Sequence, residues 1–131
     1  MVMAHLWYGA TVDLGDYQWE NRLVLIFAPT AQERAYVEQA AAFADHDAAI
    51  VDRHLLIGHF PTNSTGSFAG EAVSVAGNAD LREQFGVGTG DFAVLLIGKD
   101  GGVKLRSDVP LTADRIFATI DSMPMRQREM R

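Results

Sequence analysis

The chain of 131 residues, of which 48% are apolar and 21% charged, is long enough for one domain (residues 1–131) with a single buried core. Its net charge of −6 argues against nonspecific nucleic-acid binding, which needs a basic surface to neutralise phosphates. The absence of cysteine excludes disulfides, thiolate nucleophiles, Cys-ligated zinc and iron–sulfur clusters, and with them thiol-dependent oxidoreductase activity.

The first strong element along the chain is a strand at Arg22–Phe27. Before it, Leu6–Val12 has the pattern of a further strand, and Gly15-Asp16 that of a turn. The residues after Arg22 are apolar without interruption, which is typical of a strand covered by helices on both faces. Pro29 should end this strand, because it has no N–H to donate to a sheet.

A long helix and a second strand should follow. Thr30-Ala31-Gln32-Glu33 matches the capping box, which predicts Thr30 as the N-cap of a helix over Ala31–Asp52, bent near residues 45–47. Leu55–Phe60 has the pattern of a strand. A strand, a helix and a strand in this order form a βαβ unit, so we expect the two strands to be parallel.

The middle of the chain is less regular. Pro61–Gly70 is rich in Gly, Ser and Thr, which predicts an exposed loop. Asn78 is suited to cap a short helix over Ala79–Phe85, and Gly86 to end it.

Phe92–Ile97 and Val103–Arg106 predict a β-hairpin around which the rest of the fold is organised. The first segment is apolar at every position, as in an interior strand. The second alternates apolar and charged residues, as in an edge strand covered on one side. Asp100-Gly101-Gly102 supplies the backbone freedom that a tight connection needs.

The chain should close with a helix and a tail. Thr112 is placed to cap a helix over Ala113–Met123, and Pro124 to end it. We expect Met123-Pro124-Met125 to pack back on the domain, because methionine fills irregular apolar gaps. Arg126–Arg131 should be looser, with its three arginines solvated rather than bound to an acidic partner.

The order β-α-β, short helix, antiparallel hairpin and final helix is that of an α/β thioredoxin-like fold, a mixed central β-sheet with helices on both faces. Three segments also resemble the thioredoxin-like domains of unknown function called DUDES or P-DUDES domains. These segments are Trp19–Pro29, Leu96–Ser107 and Ile120–Met130. The resemblance spans Tyr17–Arg131 and implies a distant link to peroxiredoxins, but it supplies no established catalytic residue.

Redox-active thioredoxin-like proteins carry their reactive cysteines where the first parallel strand meets the long helix. Here that junction, Phe27–Arg34, has no thiol, and the segment where those proteins place a cis-proline, Val87–Asp91, has no proline. The junction is therefore either a degenerate cleft that still binds something or an ordinary capped helix. The second interpretation is favoured, because the capping box explains Thr30 and Glu33 without a ligand.

A metal site is a further possibility that the sequence disfavours. His46, Asp47, Asp52, His54 and His59 lie close together along the chain, but their spacing matches no known ligand motif. Structural roles are the better interpretation, because histidine is commonly half-buried.

Two classes of function are compatible with these residues. The first is a non-catalytic binding or structural module, favoured because no group of residues has the spacing of an active site. The second is a thiol-free enzyme or small-ligand-binding protein that uses the cleft at the first strand–helix junction. Its candidate residues are Thr30, Glu33 and Arg34, with Arg53 or Arg106 as an anion clamp.

The last expectations concern surroundings and partners. No apolar run approaches the ~20 residues of a membrane span, and Met1–Ala10 lacks the basic start and apolar run of a signal peptide. We expect a soluble protein, either cytoplasmic or exported with its signal peptide absent from this chain. We expect no cofactor and no metal, and a protein is the candidate partner.

Overall fold

The structure, a computed structural model that describes residues 12–131, is built on a six-stranded mixed sheet with strand order β4-β3-β2-β1-β5-β6. Its strands are β1 (Arg22–Ala28), β2 (Leu55–Pro61), β3 (Gly66–Phe68), β4 (Glu71–Val73), β5 (Ala93–Ile97) and β6 (Val103–Ser107). Its helices are α1 (Arg34–Ala42), α2 (Asp47–Asp52), α3 (Val75–Phe85), α4 (Ala113–Asp121) and α5 (Pro124–Glu129).

The segment before β1 forms a short 3₁₀ helix, Leu14–Tyr17, where the sequence predicts a turn. The strand predicted at Leu6–Val12 lies outside the described residues apart from Val12.

The predicted βαβ unit and the predicted hairpin are both confirmed. β1 runs parallel to β2, with Arg22 opposite Leu55, and antiparallel to β5, with Leu23 opposite Ile97. β5 pairs antiparallel with β6 through a turn in which Gly101 has a φ of 86°. β1 therefore lies at the centre of the sheet, and every one of its residues is buried.

The two faces of the sheet carry separate cores, which confirms the expected helices on both faces. Val24, Ile26 and Val94 pack with α1, α2 and α4 on one face. Leu25, Phe27 and Leu95 pack with α3 on the other. The uninterrupted apolar sequence of β1 serves both cores at once, because alternate side chains of a strand point to opposite faces.

The single long helix predicted over Ala31–Asp52 is wrong. The helix is divided into α1 and α2, and Asp45 between them has a φ of 64°, in the left-handed region. A residue in this conformation interrupts the helical hydrogen bonds, so the break falls where the sequence predicts only a bend.

The predicted capping box at Thr30 is also wrong. The hydroxyl of Thr30 accepts a hydrogen bond from the N–H of Gln32 at 3.2 Å, within a local turn. Glu33 is the N-cap instead, and its carboxylate accepts from the N–H of Tyr36 at 3.2 Å. The helix therefore begins at Arg34, three residues later than predicted.

The loop predicted at Pro61–Gly70 contains β3, and β4 follows directly. Phe68 of β3 is buried beside Phe60 and Tyr17. Strands of three residues are too short to show a periodicity in the sequence, so this hairpin escaped prediction.

The predicted cap at Asn78 is wrong, because Ser74 caps α3 and accepts from the N–H of Gly77. Asn78 is buried within the helix, where its amide donates to the backbone oxygens of Pro61 and Ser64 at 2.9 Å. The predicted end of this helix at Gly86 is confirmed, since Gly86 has a φ of 66°.

The last helix is confirmed with Thr112 as its N-cap, but it ends at Asp121. Pro124 opens a further helix, α5, that the sequence did not predict. Proline is favoured at the first position of a helix, where its missing N–H costs nothing, so the residue expected to end one helix begins the next.

Candidate functional site

A group of ion pairs with buried cations lies at the amino end of the central strand β1, where β1 and β2 begin and β5 ends. Here the carboxylate of Glu129 on α5 is held by two buried cations. Arg22 donates to both of its oxygens at 3.0 and 3.1 Å, and Lys99 donates at 2.8 Å. The side chain of Arg22 is 1% exposed and that of Lys99 7%. Because water does not solvate these two cations, the carboxylate of Glu129 supplies the charge that neutralises them.

A second carboxylate repeats this arrangement nearby. Asp121, at the end of α4, accepts from Arg53 at 2.8 and 3.1 Å and from Arg126 at 3.0 Å. Arg126 also donates to the carboxylate of Asp52 at 2.6 Å, and the guanidinium of Arg53 lies 4.5 Å from the ring centre of Phe117. The end of α4, the end of α2 and α5 are thus tied together.

The two carboxylates are electrostatically matched to their partners. Burial by itself raises the pKa of Glu129, but the hydrogen bonds and charges of Arg22 and Lys99 outweigh it and lower the pKa to about 2. Burial likewise raises the pKa of Asp121, and its hydrogen bonds to Arg53 and Arg126 lower it overall. Both carboxylates are therefore ionised at neutral pH. The two carboxylates and the four cations that bind them are called the ion-pair cluster: Arg22, Lys99, Glu129, Arg53, Asp121 and Arg126.

Backbone contacts fix the turn between β5 and β6 to the same place. The N–H of Trp19, a residue with a φ of 72°, donates to the backbone oxygen of Lys99 at 2.6 Å. The amide of Gln18 donates to the backbone oxygen of Asp100 at 2.8 Å, and Lys99 Nζ lies 2.7 Å from His54 Nδ1. The turn, the start of β1 and α5 therefore form one connected unit.

A pocket of about 570 Å³ opens between these three segments, and we call it the amino-end pocket. Its charged lining consists of Arg22, Lys99, Lys104, Arg128 and one carboxylate, Asp100. Its apolar lining consists of Trp19, Met123, Pro124 and Met125. The volume falls within the range of about 300–1,000 Å³ that is typical of small-ligand sites.

The residues predicted as a candidate cleft are not brought together. Thr30, Glu33 and Arg34 lie at the carboxyl end of β1, where β1 meets α1. Arg53 lies at the opposite end of the sheet, directly before β2 and bound to Asp121. It is therefore unable to act as an anion clamp for Thr30.

Arg106 is separated from that junction as well. It lies on the edge strand β6, opposite Leu95, and its guanidinium donates to the backbone oxygens of Phe85 and Gly86 at the end of α3. It satisfies the carbonyl groups of a helix end, a structural role. A cleft formed by Thr30, Glu33 and Arg34 alone stays a prediction.

The histidines have separate partners. His46 packs edge-on against Phe117, His54 contacts Lys99, and His59 lies 2.9 Å from the hydroxyl of Tyr36. Burial lowers the pKa of His59, which favours its neutral form. Within residues 12–131, no three His, Asp or Glu side chains are grouped so as to hold a metal ion.

The prediction that Arg126–Arg131 is loose is wrong for Arg126 and Glu129. Arg126 is buried and Glu129 joins Arg22 to Lys99. One sequence signal pointed to this region: the three segments that carry the family resemblance are those that supply Arg22, Lys99 and Glu129. These segments are far apart along the chain, and the fold brings them together.

Residues 13–129 match the family described as a domain of unknown function (DUF4174). The chain belongs to this family. A relative is the Coiled-coil domain-containing protein 80 of Danio rerio, which is 31% identical over 133 residues. That match covers 89% of this chain but 15% of the relative, so the chain corresponds to a small part of the longer protein.

Solved structures identify the fold. The reduced 2-Cys peroxiredoxin of Plasmodium vivax matches with a TM-score of 0.66 and 15% identity, over 89% of this chain and 85% of that one. Thioredoxin peroxidase I of Plasmodium yoelii matches with a TM-score of 0.64 and 16% identity, over 89% and 80%. These likenesses confirm the predicted thioredoxin-like fold.

Together, the family and the fold confirm the predicted resemblance to a thioredoxin-like domain of unknown function. Because the chain has no cysteine, the thiol chemistry of peroxiredoxins does not accompany the fold. None of the helices in the described part of the chain is long and apolar enough to cross a membrane.

Proposed function

We propose that this domain is a non-catalytic binding module whose binding surface is the amino-end pocket. The observation that carries the proposal is the construction of the pocket. Its walls come from three segments far apart in the sequence, around Trp19, Lys99 and Met125, and the ion-pair cluster holds them together. A concave surface fixed by buried ion pairs is preorganised, which lowers the entropic cost of binding.

The chemistry of the cluster favours binding over catalysis. A general acid or base works best when its pKa lies near the operating pH. Glu129 is shifted in the opposite direction, to a pKa of about 2, and its two oxygens are occupied by Arg22 and Lys99. Glu129 supports a wall of the pocket and stays ionised throughout the physiological pH range.

A protein is the candidate partner of this module. The relative from Danio rerio is much longer than this chain and is named for coiled-coil segments, a type of helix that associates with other helices. By analogy, a protein partner stays a candidate for this chain, and the module would present the pocket to it or to a ligand that they share.

The proposal is tested by mapping where small molecules bind. The ¹⁵N-labelled chain is screened by NMR with chemically diverse fragments: neutral aromatics, amines and carboxylates. We expect shifted amide signals to cluster at Trp19, at residues 98–104 and at residues 122–128. Fragments that shift residues 30–36 and 87–91 instead would favour the strand–helix junction, and a screen without hits at the pocket would contradict the proposal.

A further inference from the structure

We infer that the amino-end pocket binds a small organic carboxylate that carries an apolar, preferably aromatic, body. This inference rests on the proposed function and names the class of ligand. It combines three features of the pocket: the sign of its charge, the state of its cations and the nature of its apolar wall.

The charge of the pocket is opposite to that of the chain. Four cations line it against one carboxylate, and adding Glu129 behind Arg22 and Lys99 still leaves an excess of positive charge. The whole chain has a net charge of −6. A concave site whose sign differs from its surroundings concentrates ligands of the opposite charge, which here are anions.

The cations of the pocket divide into an inner and an outer pair. Arg22 and Lys99 are buried and neutralised by Glu129, so a ligand would have to displace a carboxylate that they already hold. Lys104 is paired with Asp100, but both side chains are substantially exposed, and such pairs are weak. Within residues 12–131, Arg128 takes part in no ion pair, so its guanidinium is available to an anion.

The remaining wall suits an apolar group rather than water. Trp19 is 61% exposed, an unusual state for so large an apolar side chain, and its backbone is fixed to Lys99. Met123, Pro124 and Met125 line the same pocket. Aromatic rings and methionines give adaptable contacts to flat or branched apolar groups. A bare inorganic anion would leave this wall uncovered.

The shape of the anion follows from the guanidinium of Arg128. A planar carboxylate is able to accept two parallel hydrogen bonds from a guanidinium, which is stronger and more specific than one contact to a point charge. The expected ligand therefore places its carboxylate against Arg128 and Lys104 and its apolar body against Trp19 and Met125.

The experiment compares three probes: 4-phenylbutyrate, its neutral amide and inorganic phosphate. Binding is followed by the fluorescence of Trp19 in a chain with Trp7→Phe, since the sequence has only these two tryptophans, and is checked by calorimetry. We expect saturable binding of 4-phenylbutyrate and at least about tenfold weaker binding of the amide, because charge-assisted hydrogen bonds are roughly twice as strong as neutral ones. Phosphate should bind more weakly than 4-phenylbutyrate.

Two variants with the same loss of charge locate the site. Arg128→Gln should weaken the binding of 4-phenylbutyrate by about tenfold and leave the amide unaffected. Arg34→Gln, an exposed arginine at the other end of the sheet, should change neither. Both side chains are exposed, so both variants should keep the wild-type circular dichroism and urea midpoint.

The outcomes separate this inference from the proposed function. If the amide or phosphate binds as tightly as 4-phenylbutyrate, or if 4-phenylbutyrate does not bind while other fragments occupy the pocket, the carboxylate inference is wrong and the binding module stands. If Arg34→Gln removes binding and Arg128→Gln does not, the ligand lies at the other end of the sheet and both are wrong.

Discussion

The two ends of the central strand differ in how they are held. At the amino end, two carboxylates each bridge two cations and join residues as far apart as Arg22 and Glu129, which are 107 positions apart. At the carboxyl end, the side chains of Thr30 and Glu33 accept hydrogen bonds from backbone groups two and three residues away. Redox relatives of this fold place their chemistry at the carboxyl end. In this chain the ion pairs with buried cations lie at the opposite end.

This difference shows that the two ends are stabilised by different kinds of interaction. A junction that satisfies its own backbone with short-range hydrogen bonds folds as an ordinary helix start. Burying charges costs desolvation free energy, so a buried ion-pair cluster is stable only when every charge has its partner in place. The cluster therefore fixes α5 and the amino-end pocket.

The largest effect is expected from removing α5. Truncation after Ser122 deletes both Arg126 and Glu129, which leaves Arg22 and Lys99 without their counter-charge, and also removes the contact of Met123 with the core. The free energy of unfolding should fall by at least about 4 kcal/mol, as when a buried pair is broken. Urea denaturation measures it. Deleting Arg131 alone is the control and should have little effect; a truncated chain with wild-type stability would contradict the role given to α5.

A single substitution within the cluster should have a smaller effect. Glu129→Gln keeps the shape of the side chain but removes the charge that neutralises Arg22 and Lys99. We expect a loss of about 3 kcal/mol at pH 7. The matched control is Glu38→Gln on the exposed face of α1, which should stay within about 0.5 kcal/mol of wild type. Equal effects of the two substitutions would show that the charge of Glu129 contributes no more to stability than that of an exposed glutamate.

The contribution of Glu129 should depend on pH with a defined sign. Its pKa is lowered from 4.5 to about 2 in the folded chain, so folding favours the ionised form. The stabilisation is complete well above pH 4.5 and is lost as the pH falls from 4.5 towards 2. The stability difference between wild type and Glu129→Gln should therefore shrink by up to about 3 kcal/mol over this range. Thermal melts of both chains at a series of pH values measure it, and a difference that does not change with pH would argue against the assignment.

The smallest effects are expected at the carboxyl end. Glu33→Ala removes the N-cap of α1 and should cost about 0.5–2 kcal/mol. Thr30→Ala removes a hydroxyl that accepts one long hydrogen bond in an exposed turn, and should cost less than about 0.5 kcal/mol. Urea denaturation of both variants distinguishes them. A larger cost for Thr30→Ala than for Glu33→Ala would restore the capping box that the sequence predicts.

Local patterns explain what the sequence predicted well. The apolar run of β1, the Gly-containing turn between β5 and β6, and Thr112 before α4 each depend on residues within a few positions of one another. The capping box failed although it is local, because Glu33 is itself a good N-cap and competes with Thr30 for the start of the helix.

The ion-pair cluster had no local signature. Arg22, Lys99 and Glu129 come from a strand, a turn and the last helix, and each is unremarkable in its own segment. Only the fold brings them together, so no spacing along the chain predicts the pairs. The same holds for the amino-end pocket, whose walls come from the same segments.

The central claim, that long-range charge pairing fixes the amino end while the side chains of Thr30 and Glu33 at the carboxyl end form local hydrogen bonds, is tested most directly by two double-mutant cycles. One combines Lys99→Met with Glu129→Gln, and the other combines Thr30→Ala with Glu33→Ala. We predict a coupling energy above about 1 kcal/mol for the first pair and below about 0.3 kcal/mol for the second. Negligible coupling between Lys99 and Glu129, or strong coupling between Thr30 and Glu33, would contradict the claim.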